Sequence, residues 1–199
     1  MNLQTVSSIR QAEANDASDL AKLIDIAGEG IPAWLWAQKC QPGQSPLDVG
    51  VDRARREDGG FSYKNAIVAE RNGAVMGMVL SYPITEAPAG DPSELPAPII
   101  PFVELEAHSV GTWYINALAI FAGHREAGIG TKLLNAAETQ AAAAGYPVMS
   151  IQVYAQNTAA FRLYERLGYT IAARAKVHLH PCQPYYTGDV LLLLKRLVD

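Results

Sequence analysis

The sequence predicts an α/β protein with a mixed central sheet, and three stretches carry that prediction. WYINALAI at 113–120 is an unbroken apolar run rich in β-branched and aromatic residues, which reads as a buried strand. It leads through FAGH into REAGIG at 125–130 and then TKLLNAAETQAAAA, where Leu133, Leu134, Ala137 and Ala141 follow helical spacing and Gly145 stands at the expected stop. Upstream, 65–70 and 74–82 read as two strands around Arg71-Asn72-Gly73, and Asn-Gly is a strong signal for an antiparallel hairpin.

The chain has 199 residues, 49% of them hydrophobic, enough for one sizeable core and a single domain over 1–199. A formal net charge of −4 and a pI near 5.6 argue against nucleic acid as a main partner. Cys40 and Cys182 are too few for a disulfide framework, which favours a reducing compartment. MNLQTVSSIR lacks the apolar core of a signal peptide, and no segment is long enough to span a bilayer. The expectation is a cytoplasmic protein with no membrane partner.

Taken in order, 6–10 is a short strand, followed by the cap-like Asn15-Asp16 and an amphipathic helix. Leu20, Leu23, Ile24 and Ala27 form the helix's apolar face, and Gly28 ends it. GEGIPAWLWAQ then sets Trp34 and Trp36 beside Pro32, and core packing is the commoner use of such rings. A second helix is expected over 47–56, where Arg53, Arg55 and Arg56 have two open uses, contact with phosphate groups or, the commoner one beside Glu57 and Asp58, a solvated face.

Residues 83–101 hold six prolines and no periodicity, and read as a long inserted loop with two open uses, a substrate lid or a homodimer contact. In 102–109, an extended backbone would point Glu104, Glu106 and His108 to one side, as a proton-accepting array or as the solvent face of an edge strand. A strand at 148–154 follows the central helix, and Asn157 caps a helix carrying Ala160 and Tyr164 that Gly168 ends. Strands at 171–179 and 190–197 close the sheet. His178 and His180 share a strand face, but with only Cys182 nearby no metal site is expected.

Strand, glycine-bearing loop and helix is an arrangement that aims unpaired backbone N–H groups at an anion. A dinucleotide fingerprint would need a third glycine where Leu133 stands, and a phosphate-binding P-loop would need Lys where Thr131 stands. Arg125-x-x-Gly128-Ile129-Gly130, after a strand ending Leu118-Ala119-Ile120, resembles the acyl-CoA signature of the GNAT superfamily of N-acyltransferases. Asn157-x-x-Ala160-x-x-x-Tyr164-x-x-x-Gly168-Tyr169 resembles that superfamily's second cofactor segment, and the two motifs take up 19 of the 199 residues.

The resemblance implies a mostly antiparallel central sheet with helices on both faces, and two strands, 113–120 and 148–154, splayed to admit pantetheine. It implies acetyl-CoA as cosubstrate, a primary amine of a small molecule or peptide as acceptor, and direct attack in a ternary complex. Carried over to this sequence, Leu118, Ala119, Ile120, Arg125, Glu126, Ala127, Gly128, Ile129, Gly130, Thr131, Asn157, Ala160 and Tyr164 are the cofactor contacts. Tyr164 is also the candidate acid that protonates the leaving thiolate. In the resembling fold the segment after the first helix helps wall the acceptor site, which makes Glu29 and Trp34, with Tyr114, the candidate substrate contacts.

The general base is less direct. Family members often place a Glu on the organising strand or on the strand before the second motif, whereas here Asn116 and Gln152 occupy the corresponding positions. Neither takes a proton, although either can hold a water, so Asn116 is kept as a catalytic candidate beside Glu106. Glu104, His108 and Glu29 are the other candidates. That departure keeps open an acyl-CoA-binding regulatory or sensory protein with little turnover.

Overall fold

In the computed structural model, residues 8–125 and 128–197 are described. Seven strands form one sheet in the order β1-β2-β3-β4-β5-β7-β6, and the chain divides into two compact units, Met1–Ser81 with Ala117–Ala137 and Tyr82–Asn116 with Glu138–Asp199.

The first unit opens with β1 (Ser8–Gln11), paired antiparallel to β2 (Ala66–Arg71), which pairs antiparallel to β3 (Ala74–Pro83). Asn72 and Gly73 both take positive φ, 53° and 80°, as the Asn-Gly turn requires. Helix α1 (Ala17–Ala27) lays Leu20, Leu23 and Ile24 into a core with Val68, Met78 and Leu80, and Gly28 caps it through a bond to the Ile24 carbonyl. Each such aliphatic side chain contributes about 1.5–3 kcal/mol on burial.

GEGIPAWLWAQ forms a helix, α2 (Ile31–Ala37), with Pro32 in its first turn, where a missing N–H costs nothing. Helix α3 (Pro46–Ala54) starts at a reciprocal capping box between Ser45 and Asp48. Trp36 is buried flat on Gly50, whose absent Cβ would lie 2.5 Å from the indole. The packing expectation thus holds for Trp36, while Trp34 is half-buried.

In the second unit the Pro-rich stretch is not structureless: short 3-10 turns at Pro92–Glu94 and Ala97–Ile99 precede helix α4 (Ile100–Glu106). The extended reading of 102–109 is therefore overturned. In place of a strand there is α4 and a further turn at Ala107–Ser109. Phe102 and Leu105 explain the helix, because they pack into a cluster with Tyr154, Val190 and Leu192, and a three-residue step keeps both on one side. Glu104 and His108 become exposed and Glu106 half-buried, so the three do not form one array.

Strand β4 (Trp113–Ile120) pairs parallel to β5 (Val148–Tyr154) over Trp113–Ile115 against Met149–Ile151. Helix α5 (Ile129–Ala143) ends as predicted: the Gly145 amide bonds to Ala142 and the Tyr146 amide to Ala141, with Gly145 at φ 81°. Helix α6 (Thr158–Arg166) precedes β6 (Thr170–Lys176), which pairs antiparallel to β7 (Asp189–Arg196), itself antiparallel to β5. Strand β6 stops three residues short of the predicted 179, and Leu179 is exposed. The strand predicted at 6–10 is seen from Ser8 to Gln11, and Val6 lies outside the described residues. No helix among the described residues is long and apolar enough to cross a membrane.

Candidate active site

Strand β4 alternates along its second half. Ala117 and Ala119 are buried in the first unit's core, which leaves Asn116, Leu118 and Ile120 half-buried on the other face. A turn at Ala122–His124 follows, then Arg125 in extended conformation. Glu126 and Ala127, both predicted contacts, lie outside the described residues. Gly128 is at φ +71°, and, its chain neighbours aside, a Cβ there would find no atom of the described residues within 4 Å. The protein thus leaves open space beside this glycine while demanding its left-handed backbone.

Ile129 and Gly130 are buried at the start of α5, Thr131 is half-buried, and the Lys132 amide already bonds to the Gly128 carbonyl. The preceding amides are those a helix cannot satisfy from within, and they carry the positive end of its dipole. A cradle with open space in front suits a phosphate ester such as the CoA pyrophosphate.

In the same unit a cavity of about 540 Å³ is bounded by α1 (Lys22, Asp25, Ile26), α2 (Ala33, Trp36), Leu47 and Phe121. The Asp25 carboxylate accepts the Ala33 amide at 2.8 Å across it. Glu29 joins α1 to α2 at φ 54°, a left-handed value unusual for a side-chain-bearing residue.

The second unit holds the remaining predicted residues. Asn157 caps α6 by accepting the Ala160 amide at 3.2 Å, as expected from the sequence. Tyr164 is buried, its ring 6.0 Å from that of Tyr169, and its carbonyl accepts the Tyr169 amide at 3.0 Å. Burial pushes the Tyr164 hydroxyl's pKa up, so the proton stays in place at neutral pH.

Tyr114 and Asn116 come together in this unit with a further residue, Tyr82, and Glu106 lies close enough for its charge to act on both phenols. The Tyr82 and Tyr114 rings meet edge to face at 6.0 Å. Burial raises both phenols, the nearby Glu106 charge adds to it, and hydrogen bonding by the Asn116 amide pulls each back. Burial also raises the Glu106 carboxyl above the usual carboxylate range. A carboxyl whose proton affinity is raised by burial, close enough for its charge to act on two phenols, is a better proton acceptor than a solvated one.

Tyr82 carries no local signal beyond ending a buried strand, and its meeting with Tyr114 is a product of tertiary structure. Gln152, the other position inspected for a base, donates its Nε2 to the Phe102 carbonyl at 3.0 Å and so ties β5 to α4. His180 Nδ1 lies 3.0 Å from Cys182 Sγ, and among the described residues no group of three His, Cys, Asp or Glu is placed to hold a metal ion.

No curated protein matches the sequence. A crystal structure of an acetyltransferase aligns at TM-score 0.66 with 18% identity, covering 96% of this chain and 99% of that one. An N-acetyltransferase from Staphylococcus aureus Mu50 aligns at 0.64 with 22% identity, covering 94% and 100%. The Salmonella typhimurium protein yncA, solved with its cofactor acetyl-CoA, aligns at 0.63 with 19% identity, covering 98% and 95%. At these identities the likeness speaks for the fold: an open, mostly antiparallel sheet of the acetyltransferase type. The model of the acetyltransferase (GNAT) family matches residues 31–169, more than half of the chain and both motif segments. The chain therefore belongs to the GNAT acetyltransferase family, with the acyltransferase chemistry that defines it.

Proposed function

We propose that this chain is an acetyl-CoA-dependent N-acetyltransferase, acting as a single domain, that moves the acetyl group onto a primary amine of a small molecule or peptide by direct attack in a ternary complex. The observation that supports this most is the cluster of Tyr82, Tyr114 and Asn116, with the half-buried Glu106 close enough for its charge to act on both phenols, in a chain of this family. When bound, acetyl-CoA supplies a thioester already activated toward nucleophiles.

The chain's own residues divide the remaining work. The amides of Ile129, Gly130 and Thr131 take the pyrophosphate, helped by the α5 dipole, with Gly128 leaving room for it. In the first unit Leu118 and Ile120 are assigned to the cofactor and Glu29 and Trp34 to the acceptor; in the second unit Asn157 and Ala160 are assigned to the cofactor and Tyr114 to the acceptor. A protonated amine is no nucleophile, so Glu106 accepts one proton from it, directly or through a water held by Asn116. As the new C–N bond forms and the C–S bond breaks, the Tyr164 hydroxyl gives its proton to sulfur. The second proton lost by nitrogen restores the Tyr164 hydroxyl through solvent.

The deciding experiment supplies acetyl-CoA with a panel of primary amines and follows release of free thiol. Amine-dependent turnover is expected. Tight acetyl-CoA binding without turnover on any amine would instead favour a regulatory or sensory protein.

A further inference from the structure

Glu138 and Lys195 form a closed ion pair away from the residues discussed so far. Lys195 Nζ lies 2.7 Å from each Glu138 oxygen, and the side chains are 15% and 19% exposed. A third residue joins them: the Tyr169 hydroxyl donates to Glu138 Oε1 at 3.2 Å, with Lys195 Nζ 5.5 Å from the ring centroid.

A pair so withdrawn from water gives little stability over apolar side chains of the same volume, because desolvation offsets the attraction. What it supplies is geometry. Tyr169 is fixed at its hydroxyl by Glu138, at its amide by the Tyr164 carbonyl at 3.0 Å, and by its own burial at 2% exposure. It occupies the position just past the Gly168 cap, whose side chain packs back on the last turn of the helix, and there it meets the Tyr164 ring at 6.0 Å. The Tyr164 side chain is 5% exposed and the Tyr169 ring packs against it, so the orientation of its ring, and with it the hydroxyl, follows from that packing.

We infer that Tyr169, held by the Glu138–Lys195 pair, is a positioning residue that aims the Tyr164 hydroxyl. The inference rests on the reading of Tyr164 as the acid. Phenylalanine would fill the same space at 169, but only tyrosine can be tied to Glu138.

The test is a double-mutant cycle with a spectroscopic arm. Tyr169→Phe is expected to lower kcat about 10–100-fold, as small misplacements of reacting groups do, with KM for acetyl-CoA unchanged. In a Tyr164→Phe background the same change is expected to have no effect on kcat, since nothing is left to aim. An equal fall in both backgrounds, or no fall in either, overturns the inference. If Tyr164→Phe alone leaves turnover unchanged, the acid reading fails by itself and the positioning is judged on 3-fluorotyrosine-labelled protein. There the Tyr164 ¹⁹F resonance, assigned by its loss in Tyr164→Phe, is expected to broaden or split in Tyr169→Phe. A sharp, unshifted resonance overturns the positioning whatever the kinetics show.

Discussion

Burial of the Glu106 carboxyl acts on stability and on activity in opposite directions. Its folded pKa is raised by desolvation, so the folded protein binds this proton more tightly than the unfolded chain does. Stability therefore falls as pH rises from the unfolded carboxyl's pKa through the folded one. Glu106→Gln removes that burden and is expected to leave thermal stability at neutral pH equal to wild type or higher. As the base, the same residue is needed ionised, so wild-type turnover is expected to fall as pH drops through its raised pKa. Glu106→Gln should lower turnover by about 10²-fold or more and abolish that limb, leaving a rate that follows the amine's own ionisation. A pH–rate profile with the limb intact would remove Glu106 from the mechanism. Tyr164→Phe, which keeps the ring and its contact with Tyr169, is expected to cut kcat by about 10²–10⁴-fold with acetyl-CoA affinity unchanged, read by steady-state kinetics beside calorimetry.

At the scale of elements, the loop into α5 does two things that a single substitution mixes. Gly128→Ala puts a side chain into the proposed phosphate cradle and also into a left-handed backbone at φ +71°, which costs about 1–2 kcal/mol. Acetyl-CoA binding by calorimetry, beside urea unfolding of the free protein, separates the effects. Loss of affinity in a folded variant is expected, and unchanged affinity would leave the glycine a purely conformational role. The junction of β1 and α1 offers a pH test. Arg10 donates to both Asp16 oxygens, at 2.7 and 3.0 Å, and holds that carboxyl below the usual range. A depressed carboxyl adds stability above its unfolded pKa and loses it as pH falls through the folded one. Asp16→Asn is expected to cost about 1.5–3 kcal/mol at pH 7 by urea unfolding, a gap that closes in strong acid.

For the molecule as a whole, direct attack predicts that no acetyl group rests on the protein. Initial-velocity lines should intersect, and intact-mass measurement after acetyl-CoA alone should show no acetylated species. Parallel lines with a stable adduct would point to a covalent route, for which Cys182 is poorly equipped because burial raises its thiol. Much of this was legible in the chain itself. Strands at 113–120 and 148–154, the Asn72-Gly73 hairpin, the Asn157 cap and the Gly145 and Gly168 stops are written in local stereochemistry, and the structure has them at the predicted residues. Both cofactor motifs are equally local, since a loop and the helix it starts need only consecutive residues. What the sequence misread was 102–109, where alternating charges suggested a strand and burial of Phe102 and Leu105 against β6 and β7 made a helix. What it could not contain was the Glu106 charge brought close to Tyr82 and Tyr114, or the meeting of Tyr169 with Glu138 and Lys195. Those partners stand 24 or more positions apart in most cases, as Glu138 and Lys195 do at 57. Local propensity and periodicity act over a few residues, whereas the environments that shift a proton or aim a hydroxyl exist only after the sheet has brought distant strands and helices together.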